Sequence, residues 1–489
     1  MQELPRAERQ MGNPQNEWSR LRDLEGETPS ERRLVALGRA AMLSLWSYPN
    51  VYTDEGRRER GDGKELCDLL IVFGDDVLLF SDKHCQFPEH TDVNVAWRRW
   101  YRRAIGKSVR QLAGAQSWLE RFPNRIFLDS KCQHPLPVSL PPIQSRRVHL
   151  IAVARGSALH ATKHWDAWKK GSSASLVLDT QLIGAAHETK PFNVGWPLGR
   201  ERFVHVLDDT SLELLMNELD TAPDFIDYLR KKESLLSDVK TDFLVLGEEE
   251  LLARYLVLPE GDTGKQDFPK FEEGSLVVIP EGAWQSLRRS LEYKARSEAN
   301  EISYLWDELI EYQASHVIAG SSEIMPGERP PDATQELTLR VMASENRVAR
   351  RALGAALRVV RSVDIPNARF TRTVVSGKDK TRAYVLMSLP RAPDQQYGEG
   401  GFNRSLQHWV VDWILDIHLR LRLVSSSRVF FGALCSAHWR RRGSPGRSIG
   451  TGRYPWGSIA VEGHSCFRSC RAAMGCGGRR RRLSPRTQS

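Results

Sequence analysis

Two apolar runs, Leu66 to Phe73 and Val77 to Phe80, flank Gly74-Asp75 and constrain this 489-residue chain more than any other stretch. Leu, Ile, Val and Phe on either side of a glycine-containing pair predict a β-hairpin. If Phe73 pairs with Asp76, Asp68 falls opposite Ser81 and Leu66 opposite Lys83. Side chains alternate along a strand, so Asp68, Ser81 and Lys83 share one face and Asp82 takes the other. A one-residue slip would exchange Ser81 and Asp82. Both strands are apolar on both faces, as buried strands are. A carboxylate and an ammonium in such a sheet are costly unless paired or bound to a metal. A plain structural ion pair meets that demand as well as a catalytic pair does.

The neighbouring segments extend the pattern. Ser30 to Ser47 predicts a helix with Ser30 as N-cap and Leu34, Leu37, Ala41 and Leu45 near one stripe. Asn50 to Thr53 reads as a short strand, and Val95 to Arg121 as a long amphipathic helix with Trp97, Tyr101, Ala104, Ser108, Leu112, Ala115 and Leu119 inward. A proline-rich connection from Pro135 to Pro142 leads to a buried strand, Val148 to Ala154. The order is α-β-β-β-α-β, an α/β arrangement.

On these residues the stretch from about 30 to 155 resembles the PD-(D/E)XK, or restriction-endonuclease-like, nuclease superfamily, including nuclease-related bacterial proteins of unknown function. The resemblance implies the αβββαβ core and a site in which an early acid on one strand and a carboxylate-x-Lys triplet on the next hold Mg²⁺ or Mn²⁺. Asp68 matches the first acid and Lys83 the lysine that orients or activates water. Ser81 stands where the second carboxylate is expected. Mg²⁺ favours hard oxygen ligands, so the lost charge lowers affinity. Asp82, Glu65 or Ser81 with a bridging water would compensate; otherwise the site binds without cutting. Related nucleases often carry a Gln or Lys on the helix that follows, which makes Gln111 a supporting candidate.

That helix places Arg98, Arg99, Arg102, Arg103, Lys107 and Arg110 within thirteen residues. Such a stripe is either a solvated face or a track along a nucleic-acid backbone. Trp97, Trp100 and Tyr101 suit core packing better than base stacking.

The formal charge of +9 is misleading about the body of the chain. Residues 435 to 489 hold twelve Arg, no Lys and only Glu462, a net of +11, and 9 minus 11 leaves −2 for the rest. Any basic surface on the body is local. The same segment carries Cys435, Cys466, Cys470 and Cys476 among Gly, Ser, Arg and Pro. Its spacing, with His464, suits zinc poorly, and its composition predicts disorder. The abrupt shift also matches a reading-frame change, with a native end between Tyr397 and Cys435.

Four divisions follow: a polar segment 1–28, a nuclease-like domain 29–199, a mixed α+β domain of unknown role 200–396, and the aberrant tail 397–489. In the third, a strand over Phe203 to Leu207, helices over Leu212 to Leu219, Ile302 to Val317 and Leu337 to Val363, and a hairpin around Gly377-Lys378-Asp379-Lys380 are expected. That turn lacks the glycine and helix of a phosphate loop. Asp208-Asp209 fit a helix cap and Glu248-Glu249-Glu250 an acidic first turn. No apolar run reaches membrane-spanning length, residues 1–28 lack a signal-peptide core, and Cys67, Cys85 and Cys132 fit a reducing cytoplasm. The expected function is Mg²⁺-dependent hydrolysis of DNA phosphodiesters. The alternatives are a degenerate nucleic-acid-binding module and an assembly protein.

Overall fold

In the computed structural model of the chain, residues 18–22, 24–167, 170–258, 264–320, 332–362, 370–380, 382–388, 428–433 and 457–461 are described. The chain divides into two units, 1–322 with 330–355, and 323–329 with 356–489.

In the first unit, helix α1 (Pro29–Met42) begins at Thr28, two residues before the expected cap. The Thr28 hydroxyl accepts the Glu31 N–H at 3.3 Å and the Glu31 carboxylate accepts the Thr28 N–H at 3.2 Å. This reciprocal box satisfies two orphan donors, and Pro29 fits the first helical position. The helix ends at Met42 rather than Ser47, because Leu43 takes a left-handed φ of 67° and a 3₁₀ turn follows. Next come β1 (Ser47–Thr53), the short α2 (Arg57–Arg60), β2 (Lys64–Phe73), β3 (Asp76–His84), α3 (Val93–Arg121) and β4 (Arg147–Arg155). Asp92 caps α3 by accepting the Asn94 N–H at 2.8 Å.

After β4 follow α4 (Ala158–Asp166), β5 (Val177–Ile183), β6 (Asn193–Trp196), β7 (His205–Leu207), α5 (Ser211–Glu218) and α6 (Ala222–Leu236). The first sheet has the order β1-β2-β3-β4-β7. β1, β2 and β3 pair antiparallel, whereas β3–β4 and β4–β7 are parallel. The parallel step from β3 to β4 needs a crossover, which α3 supplies. Phe73 pairs with Asp76 and Leu69 with Phe80, the register expected from the Gly74-Asp75 turn.

One register row, Leu69–Phe80–Ile151–His205, crosses four strands and fixes the two faces. Leu69 lies under Gly38 of α1, and His205 meets Glu233 of α6, so α1 and α6 cover this face. Ser81, one residue out of phase, bonds to Ser108 of α3, which covers the other. Trp97 and Trp100 of α3 are fully buried and Tyr101 nearly so, packed with Phe87, Phe192 and His187.

The remainder of this unit comprises β8 (Asp242–Val245), α7 (Glu248–Leu256), β9 (Leu276–Ile279), α8 (Ala283–Arg289), α9 (Leu291–Asn300), α10 (Tyr304–Ala319), α11 (Asp332–Ala343) and the start of α12 (Arg347–Ser362). A second mixed sheet, β6-β5-β8-β9, packs Phe243, Val245, Leu251, Ile279 and Leu236 into a core. The expected boundary at residue 200 falls inside the unit, since β7 is an edge strand of the first sheet. The single helix expected from Leu337 to Val363 is two, broken at Ser344–Asn346, where the Asn346 side chain accepts the Ala349 N–H at 2.9 Å. Asp208 caps as expected, accepting the Ser211 N–H at 2.9 Å. The three acids at the start of α7 are buried, each with a partner: Glu248 with Lys232, Glu249 with Ser175, and Glu250 with the Trp284 N–H.

In the second unit β10 (Phe370–Val375) and β11 (Arg382–Ser388) form the expected hairpin, and β12 (Arg428–Ala433) and β13 (Gly457–Val461) extend it to four strands. Between residues 397 and 489 the described backbone is β12 and β13. The rest of that segment, with Cys435, His464, Cys466, Cys470 and Cys476, lies outside the described residues, as does the polar segment before residue 18. Among the described residues no helix is long and apolar enough to cross a membrane.

Candidate active site

The ladder between β2 and β3 ends at Leu69 and Phe80, while β2 stays paired with β1 as far as Lys64 and β3 with β4 as far as His84. The two strands therefore fork at Asp68. Its carboxylate fills the gap by accepting the backbone N–H of Asp82, which no longer has a partner on β2. From the same face Lys83 reaches across, its Nζ donating to Asp68 Oδ2 at 3.3 Å. Asp68 is only 1% exposed, but the Lys83 side chain is 29% exposed, so solvent reaches the pair through the lysine. Burial raises the Asp68 pKa, against the pull of Lys83 and of the Asp82 N–H.

Glu65 lies one residue inside the first residue of β2, partly exposed. Its pKa is pushed up to about 7, first by burial and then by the charge of Asp68, with Lys83 opposing. Glu65 thus feels the charge of Asp68, and both feel the one lysine. A divalent cation would relieve both.

Ser81 is fully buried and engaged: its hydroxyl bonds to Gln111 Oε1 at 2.9 Å and Ser108 Oγ at 3.2 Å. It contributes no charge, and its contribution is to hold Gln111 against β3. Asp82 turns to the other face, where the Arg155 Nε donates to both carboxylate oxygens at 3.0 and 3.1 Å. That ion pair takes Asp82 out of the ligand set, leaving Asp68 and Glu65 as the carboxylates near Lys83. Glu31, in the first turn of α1, adds negative charge felt by Asp68, Asp82 and Glu65, although its side chain also closes the α1 cap. In the sequence Glu31 gives no such signal, because with the cap at Ser30 it falls at an ordinary helical position.

The six cations of α3 separate into two groups. Arg102 pairs with Glu188 at 2.6 Å and Arg98 lies 3.9 Å from the same carboxylate. Arg99, Arg103, Lys107 and Arg110 are exposed at helical spacing, with no carboxylate within 4 Å among the described residues.

A second cluster escaped the sequence reading. His149 of β4, His205 of β7 and Glu233 of α6 each offer an atom within 4.8 Å of the other two. The sequence hides it because each side chain comes from a different element, and His149 passes as one polar residue in an apolar strand. Comparison with known proteins finds no matching family model, no matching curated protein and no matching solved structure.

Proposed function

We propose that the chain is a divalent-metal-dependent phosphodiester hydrolase acting on nucleic acid, with DNA as the substrate to test first. The observation that carries this reading is the fork itself: a buried carboxylate at Asp68, 3.3 Å from a solvent-reachable ammonium at Lys83, with a second carboxylate, Glu65, electrostatically tied to both. Burying an acid beside a partly exposed lysine where two strands part is costly for a sheet that needs only to pack. Asp68 and Glu65 fit a hard cation that keeps several waters and binds substrate phosphate. Mg²⁺ held there would polarise a phosphoryl oxygen and acidify an attacking water. Lys83 is placed to hold or orient that water, and Asp68 is fixed in position by the Asp82 N–H. Lys107 and Arg110 flank Ser108 on α3, within a turn of the residues that touch Ser81, and suit backbone phosphates.

A second reading is that the domain binds nucleic acid without cutting it, which the neutral, fully engaged Ser81 favours. Nicking of supercoiled plasmid in Mg²⁺ and in Mn²⁺ separates the two. Metal-dependent nicking should fall by about 10²–10⁴-fold in Asp68→Ala and in Lys83→Ala. Retention of DNA without nicking selects the binding module, and nicking that survives both substitutions overturns the site.

A further inference from the structure

We propose that His149, His205 and Glu233 form a binding site for a divalent transition-metal ion of the Zn²⁺ class, distinct from the Asp68–Lys83 site. The two sites occupy opposite faces of the first sheet and opposite ends of β3. His149 sits in the row that holds Leu78, on the α1 and α6 face, and Asp76, the first residue of β3, shares that face. Asp68 and Lys83 lie on the α3 face at the far end of the strand.

The donor atoms converge on one point. His149 Nδ1 is 2.7 Å and His205 Nε2 is 2.8 Å from the same oxygen, Glu233 Oε1. A tetrahedral ion with bonds of about 2.0–2.1 Å separates its ligands by roughly 3.3 Å, so the partly exposed Glu233 would draw back while the two imidazole nitrogens, within 4.8 Å of each other, close towards the ion. Two imidazole nitrogens with one carboxylate oxygen suit Zn²⁺, Co²⁺ or Ni²⁺ and disfavour Mg²⁺ and Ca²⁺, which require oxygen. The histidines are rigidly placed, with side chains 1% and 0% exposed, whereas Glu233 is 29% exposed. On the exposed side of Glu233 a water would complete the ligand set.

The surroundings supply the second observation. The other nitrogen of His149, Nε2, lies 3.0 Å from Asp76 Oδ1, and Asp76 is held in turn by Arg230, whose Nε donates at 2.9 Å. Carboxylate, histidine and metal in line is the usual outer support of a metal-bound imidazole, fixing the tautomer and raising ligand basicity. With a proton on Nε2, the Nδ1 lone pair of His149 faces Glu233 and His205. Without an ion, both nitrogens of a residue sealed from water face carboxylate oxygens and must both carry protons. A metal removes that requirement. It would also clamp α6 to β4 and β7, three elements distant in sequence.

The test is titration of the metal-free full-length chain with Zn²⁺ and with Co²⁺, followed by calorimetry and visible absorption. With excess Mg²⁺ present to occupy the Asp68 site, one equivalent should bind, with a Co²⁺ spectrum of nitrogen and oxygen ligation. His205→Ala and Glu233→Gln should weaken it by more than about tenfold, and Asp76→Asn by about 10–100-fold. Should His205→Ala fail to fold, Glu233→Gln, isosteric and partly exposed, carries the comparison. Asp68→Ala should bind Zn²⁺ as the wild type does, so this site stands or falls apart from the nuclease reading. Absence of any bound equivalent, thiolate-to-cobalt charge transfer, or unchanged affinity in Glu233→Gln would each overturn the assignment.

Discussion

At the scale of single residues, Glu65 has the largest consequence for behaviour in solution. Its carboxyl titrates near 7 rather than at the ordinary 4.5, so the folded chain holds that proton more tightly than the unfolded chain does. Stability from this group is complete below 4.5 and is lost as the pH rises through 7. Between about pH 5 and pH 8 this group therefore pulls stability down as the pH rises, opposite to the buried histidines His187 and His205, and urea denaturation of the metal-free protein should show Glu65→Gln losing that falling component. Asp82, raised to about 6, and Glu249, raised to about 7, contribute equally to both proteins and cancel in the difference. An unchanged slope in Glu65→Gln would mean that Glu65 ionises freely in the fold. Which residue faces which was legible from sequence here, since the strand period and one turn fix Asp68, Ser81 and Lys83. The engagement of Asp82 was not, because Arg155 comes from another strand.

Among the elements, the hairpin and α3 were readable because their periods are long and unbroken. Helix ends were less so: Leu43 stops α1 by a backbone conformation that composition does not announce. Between β5 and β9 the strand over Phe203 to Leu207 was legible as β7, whereas β6 and β8, of four residues each, gave little signal. Long-range pairing, rather than local preference, makes them strands. The break between α11 and α12 is likewise tertiary. Arg347 and Arg350, both buried at the start of α12, share Asp307 of α10 at 2.7 and 2.6 Å. Replacing Asp307 by Asn leaves two guanidiniums short of charge in a dry site and should cost about 3–5 kcal/mol, measured by urea unfolding. A loss below about 1 kcal/mol would mean that Asp220 and the backbone carbonyls suffice.

For the whole molecule, charge is distributed so that the net value says little about the folded part. The +11 after residue 434 masks a body near neutrality. Nucleic-acid affinity, if it resides on α3, depends on four cations rather than six. Converting Arg99, Arg103, Lys107 and Arg110 to Gln should lower the salt dependence of DNA binding by roughly 3 to 4 in log–log slope. Converting Arg98 and Arg102, which share the single Glu188 carboxylate, should change it less per charge removed. Both variants keep the tail, so its contribution drops out. Equal losses per charge removed in the two variants would show that α3 acts only through its total charge.

The order of the first sheet also sets a timetable for synthesis. β1 to β3 leave the ribosome as a pre-pairable meander, but β7 and α6, which close the β4 edge and cover the His149 row, are completed only at residue 236. From the end of β4 at residue 155 that interval is roughly 4–16 s at about 5–20 residues per second. Throughout it the nascent chain carries β4 with its outer edge unpaired and an apolar face uncovered, a template for wrong partners. The topology thus leaves that edge open to wrong pairing for as long as the closing elements take to be made.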